Sequence, residues 1–333
     1  MKKCSFIIIL FLLSVVTAEA AKKALLIGIS EYPAGSGWCN IHSGNDIRML
    51  DDTLKRDFKI ETVVGKQATH RGILQALESL TRNAHPGDTL WVHFSGHGQQ
   101  MMSEQSRDEV DSLDECFVPY DARKDKSDDY KGENHFTDNE LSSYIGRIRK
   151  RVGARGLLII TIDACHSGSM DRGTDEDPDV IYRGTSDIFG MDDPNVRLKK
   201  EEGQALLQQS FDMGHIVIIS ACRAYQKNRE TKIDSTYYGS LSYALAESYS
   251  EGVRLQTLIE GVFDRMRSLQ DQEPFVQSDM EELTTISFVS DNDKVAFPTD
   301  DNKAGDDGNA PILTIGVLAT IFILFLIWRK RKA

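Results

Sequence analysis

Basic side chains are in deficit throughout this chain. Its 333 residues carry 39 Lys and Arg against 51 Asp and Glu, a formal net charge of −12. No basic stripe exists outside the last few residues, which argues against a nucleic-acid partner. Cysteine is scarce too, with five in all. Cys4 falls in a leader and Cys165 is assigned to chemistry below, so Cys39, Cys116 and Cys222 remain, an odd number for a disulfide framework. Cys39 and His42 have no second ligand pair beside them, which discounts a zinc-type site. No internal repeat is present, so a repeat architecture is excluded.

The two ends carry the long apolar runs. Lys2 and Lys3 precede apolar residues 6–16, and Ala18-Glu19-Ala20 supplies small residues for cleavage. This pattern predicts a secretory signal peptide over 1–20. Near the other end, 312–328 is almost uninterrupted apolar sequence followed by Arg329-Lys330-Arg331-Lys332. At ~1.5 Å per residue it spans about 26 Å, adequate for a bilayer core. A single transmembrane helix over 311–328 is expected, with a basic cytoplasmic tail at 329–333 and the body outside. Residues 291–310, rich in Asp, Asn and Gly, read as a flexible acidic linker. The globular body is then 21–290.

Within that body, apolar segments and amphipathic segments alternate. Residues 24–29, 59–64, 89–94, 157–162 and 215–220 read as strands, and 284–289 as a strand that closes the sheet. Helices are expected over 45–56, 69–83, 137–151, 240–249 and 255–269, with Thr69 and Thr137 as caps. Continuous apolar strands separated by such helices predict an α/β fold: a mostly parallel central sheet with helices on both faces. Sites in such sheets form beyond the carboxyl ends of the strands.

Two phrases lie at those ends: His93-Phe94-Ser95-Gly96-His97-Gly98 and Asp163-Ala164-Cys165-His166-Ser167-Gly168. A histidine and a cysteine at the ends of two core strands suit a thiol nucleophile and its base. Cys165 is the candidate nucleophile and His97 the candidate base. His166 is set aside because adjacent side chains on an extended segment point apart.

On these phrases the chain resembles the metacaspase branch of the caspase-like cysteine peptidases, particularly the type I form. Leu25-Leu26-Ile27-Gly28-Ile29 resembles the first strand, Asn45-Asp46 an early motif, and Ser220-Ala221-Cys222 and Tyr238-Gly239-Ser240-Leu241 two later landmarks. The resemblance implies a three-layer caspase-like fold and an oxyanion held by backbone N–H groups of Gly98 and Cys165. It implies a pocket lined by Asp46 and Asp163, with Ser95 nearby, and protein substrates cut after Arg or Lys. Ser43 stands where the family has a cysteine beside that pocket. The Gln-Ala-Cys signature of true caspases is absent. Two alternatives remain open: a caspase-fold binding module without chemistry, and a peptidase with another preference at the cleaved position.

A second acidic cluster contains Asp108, Glu109, Asp111, Asp114 and Glu115, and Asp138-Asn139 opens the next helix. The resemblance implies Ca²⁺ as an activator, held by Asp114, Asp138, Asn139 and Asp171; no cofactor is needed for the chemistry. An ordinary solvated acidic loop is the competing reading. The long polar stretch 171–209 is expected to be a lid, a binding loop or a disordered segment, with self-cleavage within it and an uncleaved surface loop both open. Its Arg172, Arg183, Arg197, Lys199 and Lys200 all suit an acidic pocket.

Overall fold

The structure is a computed structural model that describes residues 20–102, 113–165, 180–191, 212–223, 226–269 and 272–280. The expected leader, linker and C-terminal span lie outside these residues, as does 284–289. Among the described residues no helix is long and apolar enough to cross a membrane.

The strands form where apolar residues run without interruption. β1 (Lys22–Gly28), β2 (Lys59–Val64), β3 (Thr89–Ser95), β7 (Leu157–Asp163) and β8 (His215–Ser220) are parallel, in the order β8-β7-β3-β1-β2. β3 is buried along its whole length, as a central strand covered on both faces must be. The cover is divided cleanly. Leu25 and Ile27 of β1 pack with Ile73 and Leu77 of α2 (His70–Arg82) and Ile145 and Ile148 of α3 (Asp138–Val152). Ala24 and Leu26 pack with Leu50 of α1 (Ser43–Leu54), Leu245 of α4 (Ser240–Ser248) and Leu258 of α5 (Leu255–Met266). Each such Leu or Ile fully removed from water contributes about 1.5–3 kcal/mol. Thr69 caps α2 through Gly72 N, and Thr137 makes a capping box with Glu140 on α3.

The far edge holds a strand that no apolar run marks. The strand beside β8 is β11 (Phe275–Ser278), and it runs antiparallel. Asp279, just past its end, accepts from Ile216 N at 2.9 Å and pairs with the buried Arg149 of α3. That polar lock fixes the edge strand, and an apolar-run search cannot find it.

Five further short strands leave no apolar run to mark them. β4 (Gly98–Met102), β5 (Leu113–Phe117) and β6 (Phe136–Thr137) form a small antiparallel sheet, while β9 (Glu230–Ile233) and β10 (Thr236–Gly239) form a hairpin. Asp234, at φ 53°, takes the left-handed position of that hairpin turn. β4 starts immediately after His97 and the hairpin ends at α4, so these small elements wall the carboxyl edge of the large sheet.

Strand order places the candidate site. From β1 the chain steps to β2 on one side and then to β3 on the other, so the winding direction reverses between β1 and β3. Ser95 pairs with Asp163 in register. His97 and Cys165 therefore each sit two residues past the same rung.

Candidate active site

His97 leaves β3 at Gly96 and is 1% exposed. Its Nε2 lies 2.9 Å from the carbonyl of Cys39. A carbonyl only accepts, so Nε2 carries the hydrogen and Nδ1 keeps its lone pair. Nδ1 is buried and finds no hydrogen-bond partner among the described residues. The ring stacks on Trp38 at 5.0 Å between centroids, with Tyr32 at 5.3 Å. Burial pushes the imidazole down to about 4, against the upward pull of the Cys39 carbonyl. The result is a neutral ring, fixed in one tautomer, with an uncommitted basic nitrogen.

Cys165 follows β7 after Ala164 and is 3% exposed. Its thiol donates to the carbonyl of Gln226 at 3.0 Å. Cys222 reaches the same carbonyl at 3.6 Å, and its hydrogen bond with Cys165, with burial, pushes its thiol well up. Cys222 is therefore a protonated neighbour and not a competing nucleophile.

The acidic pocket is filled by the chain itself. Arg183 is fully buried, and its Nη1 lies 2.8 Å from Asp46 Oδ2, 2.7 Å from Ser95 Oγ and 3.7 Å from Asp163 Oδ1. Its Nη2 donates to Glu230 Oε1 at 2.9 Å. Asp46 also accepts from Ser95 Oγ at 2.7 Å and from Gly239 N at 2.9 Å. Asp163 accepts from Asn228 Nδ2 at 2.8 Å and from Ser242 N and Oγ at 2.7 and 2.6 Å.

Three buried carboxylates around one guanidinium set the electrostatics. Burial pushes Asp46 up to about 6, although Arg183 pulls the other way. For Asp163 burial acts upward as well, but Arg183, Asn228 and Ser242 outweigh it and hold it below the usual carboxylate range. Burial alone would lower Arg183, yet Asp46, Asp163 and Glu230 overcome that and raise it. Without a cation in the pocket, this arrangement would leave buried negative charge uncompensated.

The main chain around Arg183 is laid out as a bound peptide. The Arg183 carbonyl accepts from Cys165 N at 2.8 Å and Gly98 N at 3.4 Å. On the preceding side, Arg183 N donates to Asn228 O at 2.9 Å and Glu230 N to Ile181 O at 2.8 Å, with an antiparallel bridge between Tyr182 and Arg229. On the following side Gly184 bridges Gly98. A Cβ at Gly184 would lie 2.3 Å from the Cys165 carbonyl, so only glycine fits here without movement. The Arg183 carbonyl thus lies on the two candidate N–H donors, and Gly184 passes directly over Cys165.

Arg183 gathers Cys165, Gly98, Asp46, Asp163 and Ser95 around itself, and His97 adjoins Gly98; the Cys165 thiol faces the Gln226 carbonyl, and no hydrogen bond joins it to His97 Nδ1. Ser43 Oγ is buried without a hydrogen-bond partner among the described residues. The expected calcium set is only partly described. Asn139 Nδ2 donates to Asp114 Oδ1 at 3.0 Å, and Asp138 Oδ1 accepts from Asn139 N at 2.8 Å, so these three share one corner. Asp171 lies outside the described residues. No group of three or more His, Cys, Asp or Glu side chains that could hold a metal gathers among the described residues. The oxygen donors of Asp114, Asp138 and Asn139 do suit a hard cation.

Sequence reasoning misses Cys39, Gln226 and Glu230. Cys39 and Gln226 act through their carbonyls, which no residue type announces. Glu230 sits in a mixed polar stretch; its Oε2 meets His42 Nδ1 at 2.6 Å and its Oε1 accepts from His42 N at 2.8 Å. Arg183, in the sequence, is only one of five basic residues in its segment.

A family model described as a caspase domain matches residues 21–285. Metacaspase-1 of Schizosaccharomyces pombe is 28% identical over 283 residues, covering 73% of this chain and 63% of its own. Metacaspase-1B of Neurospora crassa is 35% identical over 197 residues, covering 56% of this chain and 40% of its own. These matches span about two fifths to just under two thirds of those relatives. A crystallised protein from Geobacter sulfurreducens superposes with a TM-score of 0.55 at 20% identity, covering 79% of this chain and 94% of its own. That likeness bears on the fold alone.

Proposed function

The chain belongs to the caspase-domain family, and from that premise we propose that it is a metacaspase-type cysteine endopeptidase cutting proteins after Arg, and after Lys less well. The observation that carries this reading is Arg183, whose side chain fills the acidic pocket while its carbonyl takes the N–H groups of Gly98 and Cys165. His97 Nδ1 takes the thiol proton, and the Cys165 sulfur attacks the carbonyl carbon. The two N–H groups hold the oxygen as charge develops on it. His97 returns the proton to the leaving amine, and water then releases the acyl group. Hydrolysis of matched Arg, Lys and Asp fluorogenic peptides tests the reading, and preference for Asp would overturn it.

Glu230 supports Arg over Lys. A guanidinium offers one nitrogen to Asp46 and Ser95 and another to Glu230, whereas a single ammonium on a differently shaped stem cannot match that fork. Removing one charge-assisted bond costs about 1.5–3 kcal/mol. Glu230→Gln is therefore expected to cut the Arg-to-Lys ratio of kcat/KM by about tenfold or more. An unchanged ratio would remove Glu230 from this role.

Ca²⁺ is proposed as an activator held by Asp114, Asp138, Asn139 and Asp171, on the proximity of the first three. Bound there, it would neutralise the carboxylates that hold it. Strong chelation is expected to lower turnover severalfold; unchanged turnover removes the metal. We further propose a secreted-side body tethered by the 311–328 span, supported by the apolar run and the basic residues after it. The check is protease protection of sealed cells: a body digested only after lysis would reverse the orientation.

A further inference from the structure

Past Gly184 the segment does not simply follow its neighbour. Gly184 bridges Gly98 and Phe189 bridges Met101, both in the parallel sense. Residues 185–188 on one side thus match 99–100 on the other, and the excess forms a turn in which Asp187 N donates to Thr185 Oγ1 at 3.2 Å. The segment rejoins β4 at Phe189, whose N–H donates to Gln100 O at 2.8 Å and whose carbonyl accepts from Met102 N at 3.0 Å.

At that point the chain inserts a ring. Phe189 is 3% exposed and sits edge-on to Tyr130 at 5.7 Å, with His135 at 4.8 Å. Gly132, at φ +101°, leaves the space the ring uses: a Cβ there would lie 2.8 Å from Phe189 Cε1 and 2.9 Å from Met101 Sδ. The walls are tied together without Phe189. The Tyr130 hydroxyl meets His135 Nδ1 at 3.0 Å, His135 Nε2 meets Gln99 Oε1 at 2.9 Å, and Gln99 Nε2 donates to the Lys124 carbonyl at 3.0 Å; its other bond, to the Asp187 carbonyl at 3.1 Å, goes to the displaceable segment itself.

We propose that Met101, Tyr130, Gly132 and His135 form a substrate subsite for an aromatic side chain six residues beyond the cut bond, the place Phe189 takes relative to Arg183. The inference rests on the reading of Arg183–Gly184 as a bond in substrate position. The subsite fixes where a substrate strand re-enters the β4 edge and leaves the residues between free to vary. Backbone pairing supplies general affinity, and the ring niche supplies selection among substrates. Phe189 is the built-in occupant that a substrate has to displace.

The test uses the full chain carrying Phe189→Ala, so that the niche lacks its own ring, with three substrates. Two are peptides copying 180–191, one with Phe at the sixth place after Arg and one with Ala there. The third is a short fluorogenic Arg amide with no amino acid beyond the cut. The Phe peptide is expected to show at least tenfold higher kcat/KM than the Ala peptide, with the amide turned over. Equal values for the two peptides, with the amide cut, overturn the subsite and leave the Arg reading standing. Failure of the unaltered chain to cut the amide overturns the Arg reading and the subsite with it. Should only the substituted chain lose amide turnover, the peptide pair is compared on the unaltered chain, where a tenfold gap supports the subsite and equal values overturn it.

Discussion

Replacing Cys165 with Ala is expected to abolish peptide cleavage, with kcat down by about 10⁴ or more, while an Arg peptide still binds within a few-fold. The split follows from what the sulfur does and does not touch. Sγ contacts the Gln226 carbonyl, whereas the Arg183 carbonyl is held by the backbone N–H groups of Cys165 and Gly98, which Ala retains. Binding belongs to the pocket acids and the strand pairing at Asn228 and Glu230, none of which depends on the thiol. Folding is little affected, because the change removes one buried atom and strands no charge. Kinetics of an Arg fluorogenic peptide would decide, with binding compared between the Arg183→Ala chain and the Arg183→Ala, Cys165→Ala chain so that no internal Arg fills the pocket. Residual turnover above a hundredth of the original would move the nucleophile elsewhere, and a parallel loss of binding would show a structural role.

How much of this is legible in the sequence depends on residue type and chain distance. β3 and β7 announce themselves as apolar runs, and each ends in a small-residue phrase, so the rung shared by Ser95 and Asp163 follows from the alternation of elements. β9 and β10 carry a buried Glu among Thr, Lys and Tyr on mostly half-exposed positions and leave no such trace. Glu230 is hidden with them, since it reaches Arg183 over 47 positions of chain. Cys39 draws notice in the sequence for its sulfur, but the carbonyl is what orients His97. His135 has nothing distinctive around it in the sequence, because Tyr130 and Gln99 reach it only through the fold of the small sheet. Residue chemistry identifies groups that react; it is silent on groups that act through the main chain.

With Arg183–Gly184 in substrate position, self-cleavage between residues 183 and 184 is expected, and substitution of Arg183 by Ala is expected to end it and to raise turnover of a short Arg amide severalfold. Two effects compete. Keeping the segment seated without its guanidinium would leave Asp46, Asp163 and Glu230 around a buried gap, and breaking a buried ion pair on one side costs about 3–5 kcal/mol. Releasing the segment forfeits the backbone bonds at Asn228, Glu230, Gly98 and Cys165, each worth only about 0.5–1.5 kcal/mol net because water replaces them. The first cost is concentrated in one unsolvated cluster, although Asp46, already near 6, is pushed higher without Arg183 and relieves part of it by holding its proton. Release therefore wins locally, water enters the pocket, and an external Arg no longer competes with an internal one. Phe189 still holds the far end, so the segment swings away from the pocket without leaving the protein. Intact-mass measurement and N-terminal sequencing follow the self-cut, with the Cys165→Ala chain as the uncut reference. A fragment beginning at Gly184 from the Arg183→Ala chain, or amide turnover no higher than that of the unaltered chain, would mean that Arg183 neither directs the cut nor guards the pocket.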